Sequence, residues 1–347
     1  ANRDFFYLNM DAVKRSTLTF LSDDLNEDNL TMEDLYALMH DYSFLTFLSG
    51  NDFVLPLPYL KVKHNKKGMG LTFVMNVYKR IRKNHDKPLI IYDSTKDRPP
   101  TINMFFLRDI LREISNNEVR FLKKLQQNIN YVRHNYPNNR IEQSMSNKSD
   151  LDNAICNFEN AEYYSQYHPQ YEEMNPIFDT IDYRQHPSIW RAKYYETFFD
   201  ITETNGRNSR QVYERKIVTI VEKYIEALKF TLEYYTVGPP SWKWYYPYDA
   251  PPLMFDVVKY MNTMNLSKWN TSQFDNDGPM TAFEQLMIIF PKWESKLLPR
   301  SLGKYMSGPK SCLSDIYLNS NNIRLNVLMG TKFIYSEPML PYIDYDR

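Results

Sequence analysis

The segment that most restricts how this chain can fold is the aromatic run that follows Gly238. Five aromatic residues occupy the seven positions from Trp242 to Tyr248, behind a Gly-Pro-Pro break. The prolines on both sides fix the backbone and prevent a helix from forming there. In an extended segment, alternation would place the rings of Trp242, Trp244 and Tyr246 on one side. Two interpretations remain open: the rings fill an aromatic core beneath a loop, or they form a platform on which bases of a single strand stack.

The composition is that of a folded protein and excludes several classes of function. With 9 glycines in 347 residues, no Gly-rich phosphate loop is present. The 42 basic and 42 acidic residues balance, which argues against nucleic-acid binding by overall charge but leaves room for a local basic channel. No apolar stretch approaches the length of a membrane span, so no membrane partner is expected. Cys156 and Cys312 make neither a disulfide framework nor a zinc site, and they favour a reducing intracellular compartment, either cytoplasmic or nuclear.

Apolar residues at helical spacing predict that the chain is mainly α-helical, with little strand (α+β). A capping box at Thr31 and Asp34 starts one helix, which ends near Gly50. A long helix over 211–235 is expected to bury a continuous stripe that ends at Tyr235. Further helices are predicted over 10–21, 71–82, 101–127, 255–264 and 281–290, and short strands over 4–8 and 90–92.

The domain organisation follows from where this periodicity is lost. Residues 134–187 are rich in Asn, Ser, Gln and Tyr and show no apolar face, which indicates a polar insertion or linker. Residues 1–133 then form one helical segment, and residues 188–347 form a second segment that contains the aromatic run.

Two further patterns leave alternatives open or exclude a site. The most basic part of the chain is either a solvated helix face with its loop or a patch that tracks phosphates; it comprises Lys61, Lys63, Lys66, Lys67, Lys79, Arg80, Arg82 and Lys83. The six histidines show no metal-ligand spacing.

Five blocks, in order along the chain, resemble motifs of the Xrn family of 5′→3′ exoribonucleases. Gly50-Asn51-Asp52-Phe53 with Leu55-Pro56 is similar to the family's Gly-Asn-Asp-Phe-Leu-Pro motif. Residues 190–195 are similar to its Trp-Lys-x-Lys-Tyr-Tyr motif, and residues 240–248 to its Pro-Ser-Trp-x-Trp-Tyr-Tyr-Pro-Tyr motif. Residues 282–287 with 297–299 are similar to Pro-Phe-Glu-Gln-Leu-Met with Leu-Leu-Pro, and residues 340–344 to Leu-Pro-Phe-Ile-Asp. The resemblance covers most of the chain apart from 134–187.

The resemblance implies a fold that this sequence supplies in part. In the family, nearly all catalytic acidic residues precede the Gly-Asn-Asp motif, on strands of a Rossmann-like sheet of the PIN/FEN type. This sequence opens just upstream of Gly50. The resemblance therefore implies the helical part of an Xrn-type nuclease core, which would complete that sheet together with a complementary N-terminal nuclease segment as partner.

The resemblance also assigns site residues. It makes Asp52 the catalytic candidate, as one ligand of Mg²⁺ or Mn²⁺; the alternative is that Asp52 caps a helix end in a Gly-Asn-Asp turn. Trp242 and Trp244 would pack beside the RNA path, with Lys243 and Tyr245 as further RNA-binding residues. The alternative is that the tryptophans brace the core and that Lys243 faces solvent.

Two functions are therefore expected. The first is part of a metal-dependent 5′→3′ exoribonuclease acting on single-stranded RNA with a 5′-monophosphate. The second is a catalytically inactive Xrn-like RNA-binding or structural scaffold in a larger assembly, cellular or viral. Asp249 favours the second function. The family motif has Tyr-His-Tyr-Ala-Pro, whereas this chain has Tyr248-Asp249-Ala250-Pro251, so the histidine is missing and the segment is one residue shorter.

Overall fold

The computed structural model describes most of the chain apart from its polar middle. The described residues are 7–22, 31–60, 70–92, 98–135, 181–203, 208–271, 274–275, 277–308, 311–317, 325–326, 337–338, 340–341 and 343. The predicted insertion over 134–187 and the predicted strand over 4–8 lie largely outside them.

The described elements are mainly helical, as predicted. The α-helices are α1 (Met10–Ser22), α2 (Met32–Thr46), α3 (Leu71–Arg82), α4 (Met104–Asn135), α5 (Pro187–Phe199), α6 (Ser209–Thr236), α7 (Met254–Met261), α8 (Ala282–Ile289) and α9 (Arg300–Ser307). Short 3₁₀ helices cover Phe47–Ser49, Leu266–Thr271 and Lys292–Leu297. Two antiparallel strand pairs join β1 (Ile90–Ile91) to β2 (Thr101–Ile102) and β3 (Leu325–Asn326) to β4 (Glu337–Pro338).

The predicted helices are confirmed, with differences at some of their boundaries. The long helix expected over 101–127 begins at Met104, because Thr101 and Ile102 pair with Ile91 and Ile90 as a strand. The helix also continues to Asn135. Within the described residues, no helix is long and apolar enough to cross a membrane.

One compact unit contains residues 1–118, 217–240 and 251–274. Many of its buried apolar side chains come from α2, α3, α4, α6 and α7, and they include Leu38, Phe44, Leu45, Val74, Tyr78, Phe106, Ile110, Ile114, Val221, Tyr224, Leu228, Met254, Val257 and Met261. The stripe predicted on α6 is buried as far as Leu232, but Tyr235 is 55% exposed, so the prediction was wrong for its last position.

A second compact unit contains residues 119–216, 241–250 and 275–347. Its buried aromatic residues are Phe121, Tyr183, Trp190, Tyr194, Tyr195, Phe198, Tyr213, Tyr246 and Tyr317. A smaller cluster packs Leu298, Met306 and Tyr317 against apolar residues of α8 and α9. The aromatic run therefore belongs to this unit, whereas the Gly-Asn-Asp turn belongs to the first.

Candidate functional site

The Gly-Asn-Asp turn ends the 3₁₀ helix that follows α2. Gly50 adopts a φ of +96°, which L side chains rarely adopt. A Cβ atom there would lie 2.8 Å from the Cβ of Pro56, so the close approach of the proline ring also requires glycine. The Leu57 N–H donates to the carbonyl oxygen of Leu48, which folds the following segment back along the 3₁₀ helix.

Asn51, rather than Asp52, closes this turn. The Oδ1 atom of Asn51 accepts hydrogen bonds of 2.9 Å from the N–H groups of Phe53 and Val54. Asp52 is exposed, and its carboxylate has no hydrogen bond or ion pair to the described residues. Asp52 therefore does not act as a helix-end cap in this structure, and the C-cap of the 3₁₀ helix is Gly50, whose N–H donates to the carbonyl oxygen of Phe47.

The described residues by themselves do not fit a divalent metal site. Mg²⁺ is held by near-octahedral oxygen ligands, and a lone carboxylate supplies too few of them. Across the described part of the chain, no group of three or more His, Cys, Asp or Glu side chains is placed to hold a metal ion. Asp52 is thus at most one ligand of such a site.

Glu118 of α4 anchors the far end of the Asp52 segment. Its carboxylate is 2% exposed and accepts a 2.9 Å hydrogen bond from the Tyr59 hydroxyl. It also accepts the N–H groups of Met254, at 2.9 Å, and Phe255, at 3.1 Å, at the start of α7. Burial raises the pKa of Glu118 to about 7, although these three hydrogen bonds favour ionisation, and the neighbouring Asp256 raises it further.

In the second unit, the start of the aromatic run is a turn built around a carboxylate. Asp277 accepts the Ser241 hydroxyl at 2.8 Å and the N–H groups of Trp242 and Lys243 at 2.5 and 3.1 Å. The Ser241 oxygen in turn accepts the N–H of Trp244 at 3.0 Å. Burial raises the pKa of Asp277, but the hydrogen bonds it receives outweigh that effect and hold its pKa below the usual range.

This turn gives the residues of the aromatic run different exposures. Trp242 is 52% exposed, Lys243 is exposed, Trp244 is half-buried and Tyr246 is buried. The expectation that Trp242, Trp244 and Tyr246 share one side of an extended segment is therefore replaced by a gradient from solvent to core. Trp242 fits the platform interpretation, and Tyr246 fits the core interpretation.

Tyr245 and Tyr246 tie the run to its surroundings. The Tyr245 hydroxyl donates to the carbonyl oxygen of Ile343 at 3.2 Å and accepts its N–H at 3.0 Å. The Tyr246 hydroxyl donates to the carbonyl oxygen of Ala250 at 2.8 Å. The phenol predicted to bind RNA at Tyr245 therefore also joins the aromatic run to the last motif block, 98 residues further along.

Glu284 completes the cap at the start of α8. Its carboxylate accepts the Thr281 N–H at 2.8 Å while Thr281 caps the Glu284 N–H, which completes a capping box. The Thr281 hydrogen bonds lower the pKa of Glu284, and the positive charge of Lys243 lowers it further.

Two basic side chains of the most basic segment contact groups within the protein. The Lys79 Nζ atom donates to the Phe20 carbonyl oxygen at 2.7 Å, and Arg80 pairs with Glu113 at 2.6 Å. These two contacts favour the solvated-face interpretation for the α3 residues concerned. Lys61, Lys63, Lys66 and Lys67 lie outside the described residues.

Sequence reasoning missed Asp277 and Glu118. Both carboxylates receive backbone N–H groups from distant segments, with sequence separations of 35 residues from Asp277 to Trp242 and 136 residues from Glu118 to Met254. The one local signal was a buried acidic position on an apolar helix face, because Glu118 lies between the buried Ile114 and Phe121.

Comparison with known proteins agrees with this arrangement. Residues 33–347 match the family model described as the Xrn1 helical domain. A 5'-3' exoribonuclease 2 homolog of Drosophila melanogaster is 25% identical over 94% of this chain and 36% of its own length. The 5'-3' exoribonuclease 2 of Gallus gallus is 31% identical over 46% of this chain and 15% of its own length. That of Saccharomyces cerevisiae is 29% identical over 50% of this chain and 16% of its own length.

The helical architecture and the family match together define the class to which this protein belongs. The chain is a member of the Xrn family and contains the family's helical domain. It spans about a third or less of the length of these curated relatives.

Proposed function

We propose that this chain is the helical part of an intracellular, cytoplasmic or nuclear, 5′→3′ exoribonuclease, and that it binds single-stranded RNA carrying a 5′-monophosphate. The observation that carries the RNA-binding part is the half-exposed Trp242 ring beside the exposed Lys243 on a turn fixed by hydrogen bonds. An aromatic ring offers any base a stacking face, and an adjacent cation suits the backbone phosphate. The relatives named 5'-3' exoribonuclease support the catalytic part.

We include in this proposal a Mg²⁺ or Mn²⁺ site to which Asp52 contributes one carboxylate. The Asp52 carboxylate is exposed and has no partner among the described residues, so its oxygens are available to a metal ion. The remaining ligands would come from outside the described residues, in a complementary N-terminal nuclease segment. Asn51 and Gly50 would hold the Asp52 backbone in place through the turn.

The test is RNA degradation by the gene product that carries this chain. With Mg²⁺ present, RNA with a 5′-monophosphate should be degraded and the same RNA with a 5′-hydroxyl should persist. Asp52→Asn should abolish degradation without changing the melting temperature, since this carboxylate has no structural partner in the described residues. Asp86→Asn, at another exposed aspartate of the same unit, is the matched control and should remain active.

A second candidate function is an RNA-binding or structural scaffold without catalysis. Asp249 favours it, because it stands where the family motif has a histidine and one further residue. In that case both RNAs would persist with every variant, and RNA binding would still weaken on Trp242→Ala. Retained degradation by Asp52→Asn would instead refute the metal role of Asp52.

A further inference from the structure

Asp277 organises the aromatic turn from outside the motif. It belongs to the Asp-Gly-Pro segment that precedes α8, and none of the five motif blocks includes it. Its carboxylate receives the Ser241 hydroxyl and the N–H groups of Trp242 and Lys243. Since the Ser241 proton is donated to Asp277, the Ser241 oxygen is left to accept from the backbone, and it takes the N–H of Trp244.

The turn is therefore a concave set of backbone N–H groups around an anion. Successive N–H groups that point inwards form an anion-binding nest, and a carboxylate of the chain fills this one. An RNA phosphate cannot occupy the same N–H groups while Asp277 holds them. A phosphate at this surface would instead meet the exposed Lys243 side chain.

The hydrogen bonds of Asp277 fix the backbone from which the Trp242 and Lys243 side chains extend. Ser241 is buried, whereas the side chains of Trp242 and Lys243 extend to solvent from the same turn. A turn that is already ordered loses less conformational freedom when a base stacks on it than a mobile one would. The lowered pKa of Asp277 agrees with a carboxylate that stays ionised to hold these donors.

We propose that Asp277 is the positioning residue of the RNA-contacting surface, holding Trp242 outwards for base stacking and Lys243 outwards for the backbone phosphate of single-stranded RNA. This inference rests on the proposed RNA-binding function. Asp277 itself touches no RNA in this arrangement and acts through the turn.

The substitution Asp277→Asn separates positioning from charge. Removal of a negative charge near RNA should by itself strengthen binding. Loss of the turn should weaken binding, because the asparagine amide cannot accept at both of the oxygen positions that the carboxylate provides. The two effects have opposite signs, so the direction of the change identifies the role.

The matched control is Asp275→Asn. Asp275 lies two residues from Asp277, and its side chain is exposed, so the substitution removes an equal charge without a change at the turn. Binding of the 347-residue chain to fluorescently labelled 5′-monophosphorylated oligouridylate is measured for both variants, for Trp242→Ala and for Asp277→Glu. We expect about fivefold weaker binding for Asp277→Asn. This is smaller than the loss of affinity expected when base stacking is removed completely, because the Trp242 ring is still present. Asp275→Asn should bind as well as the wild type or better, and Asp277→Glu should recover part of the loss.

Fluorine spectra of protein labelled with 5-fluorotryptophan report the local structure directly. Asp277→Asn should shift or broaden the resonances of Trp242 and Trp244 while leaving those of Trp190, Trp269 and Trp293 in place. Unchanged Trp242 and Trp244 resonances would overturn the positioning role, and equal shifts of all five would do the same by indicating a general loss of structure.

The binding results separate this inference from the function on which it rests. If Trp242→Ala weakens binding and Asp277→Asn does not, the inference is wrong and RNA binding stands. If the wild type does not bind RNA, the proposed function is wrong and the inference falls with it, whatever the fluorine spectra show.

Discussion

The buried carboxylate of Glu118 allows a pH-dependent prediction. In the folded protein it is 2% exposed and its pKa is raised to about 7, from an ordinary value of 4.5. Because the folded state holds the proton more tightly than the unfolded state, the stabilising contribution is complete below pH 4.5 and is lost as the pH rises through about 7. Between pH 5 and pH 8 this linkage removes about 2.5 kcal/mol from the free energy of unfolding.

The substitution Glu118→Gln should remove that dependence. Glutamine has the shape of the protonated acid, and its amide oxygen can still accept from Tyr59 and Met254, but its NH₂ group faces the Phe255 N–H. At pH 5 the wild type, which is then mostly protonated, and the variant should therefore be similar in stability. By pH 8 the variant should have gained about 2.5 kcal/mol relative to the wild type, since it has no charge to bury.

The assay is urea unfolding of both proteins at pH 5, 6, 7 and 8. Glu113→Gln, on the same helix but with a partly exposed carboxylate paired to Arg80, is the control and should differ from the wild type by a small and nearly constant amount. A difference between Glu118→Gln and the wild type that stays constant across the pH series would refute the argument.

The truncation Glu118→Ala tests the hydrogen bonds rather than the charge. It would leave the Tyr59 hydroxyl and the N–H groups of Met254 and Phe255 without their acceptor at a buried site. Each buried donor left unpaired costs about 1–3 kcal/mol. We expect a loss of about 3–5 kcal/mol at pH 5, where the charged state of the wild type contributes least.

Two further substitutions test contacts of the first unit by the same urea assay. Gly50→Ala should destabilise the protein by about 3 kcal/mol, because φ is +96° and the new Cβ would meet Pro56 at 2.8 Å; Gly278→Ala, with nothing within 4 Å, should be nearly neutral and serves as its control. Tyr78→Phe should cost about 2 kcal/mol, since its hydroxyl donates to the buried Asp41 at 2.6 Å, and a loss below the error of the assay would contradict this estimate.

Local sequence was enough to predict most of the helices, because their signals act over three or four residues, but α5 and α9 were not predicted. The Thr31–Asp34 capping box is present with both of its hydrogen bonds, and α3 has the predicted bounds of Leu71–Arg82. The apolar positions of α4 from Phe106 to Leu125 are buried as their spacing requires. The strand at Thr101–Ile102 was missed because its pairing with Ile90–Ile91 depends on partners ten and twelve residues away.

The candidate site was predicted only in part, because local motifs are visible in the sequence whereas contacts between distant segments are not. The Gly-Asn-Asp turn and the aromatic run were visible as motifs, so Asp52, Trp242, Lys243, Trp244 and Tyr245 could be named. Their different exposures could not be read from the alternating pattern, since the Ser241 hydroxyl and the N–H groups of Trp242 and Lys243 turn towards Asp277, 34 or more residues away.

By itself, the sequence determined the helical character of the chain, the break at Gly50, the rigid aromatic segment and the family to which these motifs belong. Those features depend on residue types at short spacing and on blocks of similar residues. The tertiary structure alone decided that Asn51 closes the turn while Asp52 faces solvent, that Glu118 anchors α7, and that Asp277 holds Trp242 outwards. A buried or turn-holding carboxylate is stabilised by donors far away in the sequence, and only the folded chain brings those donors together.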